Sequence, residues 1–454
     1  MLISTKLVSS GIVVLFLLFL GISRTQGACP FSHNFDNNES IPHDDAHRNL
    51  RDLATTLHSN YTQVSNMFLK NTENPSNQQT ISKTLGTKNI ILDIKEDIIA
   101  LANRFNDAGD RGHFFGGIVR LAAHDFMDYD QTDTNEPGGS DGCLDFNDQI
   151  NAGLSDLWCD NADACPFKYL YDTYYSKFMS KADFWIASAV KVIEITSPPN
   201  DPLILPLRWG RVDNDSCPSS SSRLPETKGC SEIQACFVDR MGLSWTDATA
   251  LMGAHTLGRG STKFSGHDGT WVDTDEESTK FDKRFYTELV NRSWRPTDVP
   301  AGIDWVWGRQ GSRDVMMLNT DICLYFDIPD GNQQNCCTRN NRDCRELPRC
   351  PSATSLRPDS VAAVNSFRSG ARDDNENFFH AFSKAWVVAT ENGHTNLTED
   401  LDICGVSPSL CDQVGAYKQQ FTKEQNSSGH SWKERVNVSS NLLFVCVIVI
   451  SSFF

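Results

Sequence analysis

Apolar side chains in the middle of this chain recur at steps of three and four residues. The first such run comprises Ile91, Ile94, Ile98, Leu101, Ala102 and Phe105. This spacing places the side chains on one face of an α-helix. The same pattern predicts helices over residues 115–127, 181–195, 232–241, 246–254, 283–291 and 376–391. Gly109 and Gly112 are expected to separate the first two helices. Strand-type alternation is scarce, so the sequence predicts a mostly α fold with long loops.

The chain contains 15 cysteines, which is too many for a typical cytosolic enzyme and indicates an oxidising compartment. We therefore expect disulfides to staple the long loops. Four of the cysteines lie close together, namely Cys336, Cys337, Cys344 and Cys350. Such a cluster can form a zinc site, although the compartment favours disulfides. Without Cys446 near the C-terminus the count is even, which allows as many as seven bonds.

Both ends of the chain carry short apolar runs. Residues 1–27 are typical of a cleaved secretory signal, because Lys6 precedes an apolar run too short to span a bilayer comfortably. An uncleaved membrane anchor is the alternative. Residues 416–454 combine small residues at 426–429, a polar spacer and an apolar run over 442–450. This order predicts the attachment signal of a glycosylphosphatidylinositol lipid anchor, with a frayed tail as the alternative.

Between these two ends, the chain consists of two parts. Residues 28–87 are polar and predict an N-terminal extension, whereas residues 88–415 form the predicted helical domain. Seven N-x-S/T sequons support a glycosylated, secreted or cell-surface protein. They begin at Asn38, Asn60, Asn214, Asn291, Asn396, Asn426 and Asn437. We expect membrane attachment only through the lipid anchor.

The helix predicted over residues 115–127 carries two polar side chains on one face. Arg120 and His124 are four residues apart, and this spacing brings them to the same side of a helix. A lone histidine on a helix is usually a surface or core residue. An arginine one turn before it is unusual on a buried face, because a buried charge must be paired or used.

A second histidine, His255, is surrounded by small residues in the segment Gly253-Ala254-His255-Thr256-Leu257-Gly258. Such neighbours would let a large flat group approach closely. Together the two centres resemble those of the heme peroxidases of the plant, fungal and bacterial superfamily. Arg120-x-x-x-His124 is similar to the distal motif of that family, and the segment around His255 is similar to its proximal motif.

Further segments extend this resemblance from about residue 90 to residue 393, in the order of the family. They are Asn151-Ala152-Gly153-Leu154, Lys181-Ala182-Asp183, Trp209-Gly210-Arg211-Val212-Asp213, Met317-Leu318-Asn319-Thr320-Asp321 and the helix around Phe378 to Ala385. The resemblance implies the two-lobed helical peroxidase fold, heme b as cofactor and hydrogen peroxide as substrate. It also implies an electron donor, which the sequence does not identify.

The resemblance assigns a role to each matching residue. His124, oriented by Asn151, would move the proton of the peroxide, and Arg120 would supply positive charge during cleavage of the O–O bond. His255 would ligate the heme iron. Asp321 would accept the N–H of His255 and make it a stronger donor to the iron.

Trp271 lies 16 residues after His255 and resembles a tryptophan of the intracellular branch, which contains ascorbate peroxidase and cytochrome c peroxidase. The resemblance implies that Trp271 lies under the heme, where it would hold a radical. A purely structural packing role is the alternative, because large aromatic residues are common in cores.

Other residues resemble the calcium ligands of the secreted branches. The distal set is Asp125, Gly139 and Asp141, and the proximal set is Thr256, Asp275 and Asp282. Oxygen ligands of this kind suit calcium, so the resemblance implies one or two ions. The secreted branches have a further distal ligand with a hydroxyl group, and this chain has Cys143 at that position. The alternative for both sets is a solvated acidic loop.

Three departures from the family bear on function. Ala123 replaces the aromatic residue before the distal histidine, so we expect more space over the heme. Asp145 lies where the family usually has a glutamate that bonds Asn151. Phe264 lies where ascorbate peroxidases carry an arginine used for ascorbate, so ascorbate at that site is disfavoured.

The net charge of −17 excludes a nucleic-acid partner and favours a neutral or cationic electron donor. We expect a monomeric, extracellular heme peroxidase. Two alternatives remain at this point. One is a non-catalytic, anchored surface glycoprotein that keeps the fold, and the other is a peroxygenase-like heme enzyme that inserts oxygen through the wider pocket.

Overall fold

The computed structural model describes residues 78–161, 163–307, 315–331, 334–339 and 346–401. Eight helices of eight or more residues are the main elements of this part of the chain. They are α1 (Gln78–Ala102), α2 (Ala108–Phe126), α3 (Pro166–Thr173), α4 (Lys181–Thr196), α5 (Trp245–Met252), α6 (Arg284–Asn291), α7 (Pro358–Phe367) and α8 (Glu376–Glu391). The mostly helical fold is therefore confirmed. The signal, most of the polar extension and the tail predicted at 416–454 lie outside the described residues.

Short helical turns and five strands complete the architecture. The α-helical turns are Ser220–Arg223, Cys230–Ile233 and Asn319–Ile322, a π-helical turn spans Gln234–Arg240, and 3-10 turns span Gln149–Asn151, Leu154–Asp156, Tyr175–Lys177, Gly253–Thr256, Glu277–Thr279 and Ala353–Ser355. Strands β1 (Arg259–Gly260) and β2 (Gly269–Thr270) form an antiparallel pair. Strands β3 (Arg295–Val299), β4 (Gly302–Val306) and β5 (Met316–Leu318) form an antiparallel sheet in that order.

Local polar side chains fix the helix starts. The carboxylate of Asp107 accepts the N–H of Asp110 at the start of α2, and the hydroxyl of Ser180 accepts the N–H of Asp183 at the start of α4. Ser244 forms a capping box with Asp247 before α5. These bonds satisfy N–H groups that have no partner inside a helix.

The predicted break at Gly109 and Gly112 is wrong, because α2 begins at Ala108 and runs through both glycines. These glycines permit close packing instead. A Cβ atom on Gly112 would lie 2.6 Å from the hydroxyl of Ser278. One turn later, a Cβ on Gly116 would lie 2.9 Å from the Cα of Gly258. Helix α2 therefore lies directly against the backbone of the loop that follows His255.

Other boundaries also differ from the predictions. The predicted helix over 232–241 is a single α turn followed by a π-helical turn, and α1 begins at Gln78 inside the predicted polar extension. Helices α3 and α7 are both short and have proline in their first turn. The sheet β3–β5 was not predicted, because β3 is half-exposed on both faces and its buried and exposed residues do not alternate.

Disulfides hold the long loops, as predicted. The bonds with both partners described are Cys143–Cys217, Cys159–Cys165, Cys230–Cys323 and Cys336–Cys350. Cys337 is disulfide-bonded as well, so the zinc interpretation of this cluster is wrong. Cys236 is a free, buried thiol, and burial raises its pKa to about 12. The upper bound of seven bonds is therefore not reached.

Candidate active site

A cavity of about 1330 Å³ lies between helix α2 and the segment that follows α5. His124 lines one side of this cavity and His255 lines the other. The volume exceeds the roughly 300–1,000 Å³ of an ordinary small-molecule site. It therefore has room for a large cofactor together with a small substrate. The two histidines indicated by the sequence are 131 residues apart in the chain, and the structure brings them to the same cavity.

Arg120 and His124 contact each other on the cavity face of α2, as their spacing predicts. The Nε–H of Arg120 donates to Nε2 of His124 at 3.1 Å. The guanidinium also donates to the backbone carbonyls of Ile150 and Ala152, at 2.7 and 2.9 Å. These bonds hold the guanidinium at the cavity wall. Burial lowers the pKa of Arg120 to about 10, so its side chain stays cationic near neutral pH.

His124 is held as a neutral base. Its Nδ1 lies 2.8 Å from the amide oxygen of Asn151, which can only accept, so Nδ1 carries the proton. The lone pair is then on Nε2, the nitrogen that accepts from Arg120. Burial, followed by the charge of Arg120, lowers the pKa of His124 well below its usual value. The imidazole is therefore neutral, and its Nε2 is the nitrogen that can take a proton.

Asn151 is fixed by two bonds of its own amide group. Its Nδ2 donates to the backbone carbonyl of Asp145 and to the hydroxyl of Ser220, both at 2.9 Å. The carboxylate of Asp145 instead accepts from Asn147. The hydrogen bond that a glutamate makes at this position in the family is therefore altered here, because Asn151 bonds the backbone of Asp145 and not its side chain. Sequence reasoning missed Ser220, because it lies 69 residues from Asn151 in a serine-rich loop without a motif.

On the other side of the cavity, His255 lies against a fully buried carboxylate. Its Nδ1 is 2.8 Å from Oδ1 of Asp321, so Nε2 is turned away from that carboxylate. The indole N–H of Trp271 donates to Oδ2 of Asp321 at 2.7 Å. The rings of Trp271 and His255 stack with their centroids 4.5 Å apart. One carboxylate thus orients both rings.

The small sheet places Asp321 under His255. The backbone N–H of Leu318, at the end of β5, donates to Oδ2 of Asp321 at 2.7 Å. Together with Trp271 and His255, this gives the buried carboxylate three donors. Such donors compensate a buried carboxylate for the water that it loses on burial. The sheet therefore positions the group that orients His255.

The residues around His255 fit heme as a ligand. The side chain of His255 is 31% exposed, whereas that of Asp321 beneath it is 0% exposed. An accessible nitrogen on a histidine whose other N–H meets a carboxylate is the usual arrangement of a metal-ligating histidine. Ala254 and Gly258 beside it also line the cavity, and their small side chains leave room for a planar group.

Two of the departures from the family lie on the cavity wall. Ala123 lines the cavity beside His124, where its single methyl group leaves the space open. Phe264 also lines the cavity and stacks on His113, with ring centroids 6.1 Å apart. The ammonium group of Lys263 lies 4.3 Å above the Phe264 ring.

The distal calcium candidates lie at the end of α2 and in the following loop. The two carboxylate oxygens of Asp125 accept the backbone N–H groups of Gly142 and Cys143, each at 3.0 Å. Burial, followed by the charge of Asp141, raises the pKa of Asp125 well above its usual value. Cys143 is bonded to Cys217, so its sulfur is not available as a ligand.

The proximal candidates have partners within the protein. Asp275 is 3.5 Å from Arg259, and Asp282 is 3.3 Å from Arg284. The hydroxyl of Thr256 donates to a backbone carbonyl. In the described part of the chain, no group of three or more His, Cys, Asp or Glu side chains is arranged to hold a metal ion. Neither calcium set therefore forms such a cluster of side chains.

Comparison with known proteins gives consistent matches. The family model described as peroxidase matches residues 96–329. The "Putative heme-binding peroxidase" of Aspergillus fumigatus is 34% identical over 247 residues, which cover 52% of this chain and 70% of that protein. A protein of the same name from Candida albicans is 34% identical over 230 residues, covering 48% and 71%. "L-ascorbate peroxidase 3" of Arabidopsis thaliana is 36% identical over 178 residues, covering 38% and 55%.

Proposed function

The chain belongs to the plant, fungal and bacterial heme peroxidase superfamily and is an oxidoreductase that acts on hydrogen peroxide; on this premise we propose that Arg120 and His124 carry out its peroxide chemistry. The observation that carries the proposal is the contact of these two side chains in the cavity that His255 lines from the other side. Heme, held by His255, supplies the redox-active iron when it is bound.

His124 moves one proton during peroxide cleavage. Its Nε2 takes the proton from one oxygen of hydrogen peroxide and returns it to the other, which leaves as water. The bond from Nδ1 to Asn151 keeps the ring in the tautomer that this transfer needs. The low pKa of His124 supports the role, because an imidazole that was already protonated could not accept the first proton.

Arg120 stabilises the charge that develops as the O–O bond breaks. Its guanidinium is fixed by carbonyl groups before the reaction, so little reorganisation is needed at the moment of cleavage. Asp321 acts on the opposite side, where it orients His255 and increases the electron donation of the imidazole. Trp271 shares this carboxylate, and we assign it to electron transfer between the heme and the donor.

The proposed donor gives up single electrons and is neutral or cationic, in keeping with the acidic protein. Phe264 cannot form the bidentate hydrogen bonds that an arginine would offer to ascorbate, which supports a different donor, although the ammonium group of Lys263 lies over its ring. Purified protein loaded with heme is tested with guaiacol, Mn²⁺, ascorbate and cytochrome c in the presence of peroxide. A protein that oxidises none of them and consumes no peroxide would contradict the proposal.

The space beside Ala123 supports oxygen insertion as a second candidate function. A wider pocket lets an organic substrate approach the reacting oxygen, whereas electron transfer needs only the edge of the cofactor. Peroxide labelled with ¹⁸O separates the two functions. Label in the organic product indicates oxygen insertion, and unlabelled radical products indicate electron removal.

We also propose one calcium ion at the distal set of Asp125, Asp141 and the backbone of Gly139. Asp125 at the end of α2 and Asp141 in the following loop are both buried, and the charges of the two side chains interact, which supports a cation there. At the proximal set, Asp275 and Asp282 are each paired with an arginine, so no ion is proposed there.

Calcium removal provides the test of the distal ion. Protein treated with EGTA is expected to be less stable than protein in calcium. The difference is about 2.7 kcal/mol when free calcium is a hundred times its dissociation constant. Denaturant titrations with and without calcium measure it, with Mg²⁺ as the control ion. Equal midpoints in all three conditions would contradict the calcium site.

The disulfides support an oxidising compartment, and we propose a glycosylated, extracellular protein attached by a lipid anchor. None of the described helices is long and apolar enough to cross a membrane. Cells that express the full chain are expected to release it when phosphatidylinositol-specific phospholipase C is added. Retention on the cells after this treatment would contradict the lipid anchor.

A further inference from the structure

A second buried His–Asp pair lies in the wall of the same cavity. Nδ1 of His267 is 2.5 Å from Oδ1 of Asp304, and the other oxygen of Asp304 accepts the backbone N–H of Asp268 at 3.2 Å. His267 is 5% exposed and Asp304 is 1% exposed. The peroxide chemistry assigned above uses neither residue, so the pair needs an explanation of its own.

The hydroxyl of Thr227 continues this pair toward the cavity. Oγ1 of Thr227 lies 3.1 Å from Nε2 of His267. With Nδ1–H donating to Asp304, Nε2 carries the lone pair and accepts from the hydroxyl. A hydroxyl, an imidazole and a carboxylate that are hydrogen-bonded in this order can accept a proton and pass it along. Thr227 is half-buried and His267 is buried, and both residues line the cavity.

The rim next to Thr227 is open to solvent. Glu226, Ser265, Pro300 and Ala301 line this part of the cavity and are exposed. Thr227 therefore lies beside exposed residues of the rim. The surroundings combine apolar contacts with one carboxylate and one hydroxyl. This chemistry suits a neutral or cationic aromatic molecule that carries its own hydroxyl group.

We propose that Thr227, His267 and Asp304 form a proton-accepting relay for a phenol-type electron donor bound at this rim. The inference rests on the proposed function, which supplies the oxidant in the form of the peroxide-oxidised enzyme. The donor loses one electron to that enzyme and its hydroxyl proton to Oγ1 of Thr227. Thr227 passes its own proton to Nε2 of His267, and the carboxylate of Asp304 stabilises the resulting imidazolium. The donor leaves as a neutral phenoxyl radical.

The relay is useful because a phenol becomes easier to oxidise when its proton is removed with the electron. Proton acceptance by a positioned side chain typically contributes about 10²–10⁴-fold. A donor that loses an electron without a proton gains nothing from the relay. Comparing the oxidation rates of the two kinds of donor therefore distinguishes a proton relay from a purely structural contact between the β1–β2 loop and β4.

The experiment compares guaiacol, which is a phenol, with ferrocenemethanol, which gives up an electron and keeps its protons. Thr227→Val removes the hydroxyl and preserves the shape, and we expect it to lower the ratio of guaiacol to ferrocenemethanol oxidation about 10²-fold. Thr227→Ser is expected to restore most of that ratio. Thr262→Val is the matched control, because Thr262 is exposed on the same cavity wall and lies outside the relay.

Each of the other outcomes contradicts either the relay or the proposed function. An equal loss with both donors in Thr227→Val would overturn the relay and leave a bracing role. A ratio in Thr227→Ser as low as that in Thr227→Val would overturn it as well. The reaction of each variant with peroxide alone is followed by stopped-flow absorbance. Wild-type protein that does not react with peroxide would overturn the proposed function itself, and the relay with it.

Discussion

We expect His124→Leu to slow the reaction with hydrogen peroxide by about 10²–10⁴-fold, the usual contribution of acid–base catalysis. Leucine fills much of the same volume but cannot take a proton. The effect should be confined to this step, because His124 contacts Arg120 and Asn151 and lies across the cavity from His255. Stopped-flow measurement of the heme-loaded protein at several peroxide concentrations gives the rate constant.

His380→Leu is the matched control, because His380 is exposed on α8 and does not line the cavity. Its reaction with peroxide should equal that of the wild type. The absorption spectrum before peroxide is added should show that both variants retain heme. A His124→Leu variant that retains heme and reacts as fast as the wild type would remove His124 from the mechanism.

The second large effect is expected from His255→Ala, which should lose heme during gel filtration. Loss of a residue that merely orients a metal ligand already costs about 10–100-fold in affinity, so loss of the ligand itself should cost more. Added imidazole is expected to restore heme binding, because Asp321 remains in place to accept its N–H. The ratio of heme to protein absorbance measures the result with and without imidazole.

His380→Ala serves as the control for this substitution as well and should keep its heme without imidazole. Circular dichroism of His255→Ala should match that of the wild-type apoprotein, which separates loss of the ligand from loss of the fold. A folded His255→Ala variant that binds heme as tightly as the wild type would show that another side chain holds the iron.

Local features of the fold were predictable because they depend on neighbours in sequence. The periodicity gave the helices over 181–195, 283–291 and 376–391 within a few residues of the observed ends. It failed at Gly112, where a glycine serves close packing against Ser278 rather than a break. The sequence around a glycine does not show what lies against it, so the two uses look alike.

Some contacts of the active site were likewise predictable from the sequence, and others were not. Arg120 and His124 are one helical turn apart, so their proximity follows from local geometry alone. Asp321 lies 66 residues from His255, and it was reached only through resemblance to a family. No pattern pointed to Ser220, which bonds Asn151 from a loop 69 residues away.

By itself the sequence determined the mostly helical fold, the disulfide-rich loops and the two histidine centres, because each depends on spacing or composition. Resemblance to a family implied the contact of Asp321 with His255, whereas only the tertiary structure decided the contact of Asp304 with His267. The sheet β3–β5 delivers Asp304 to His267, and the turn after β5 delivers Asp321 to His255. Both pairs are buried, and a buried carboxylate needs hydrogen-bond donors that the fold provides. Those donors come from distant parts of the chain, so packing alone fixes them.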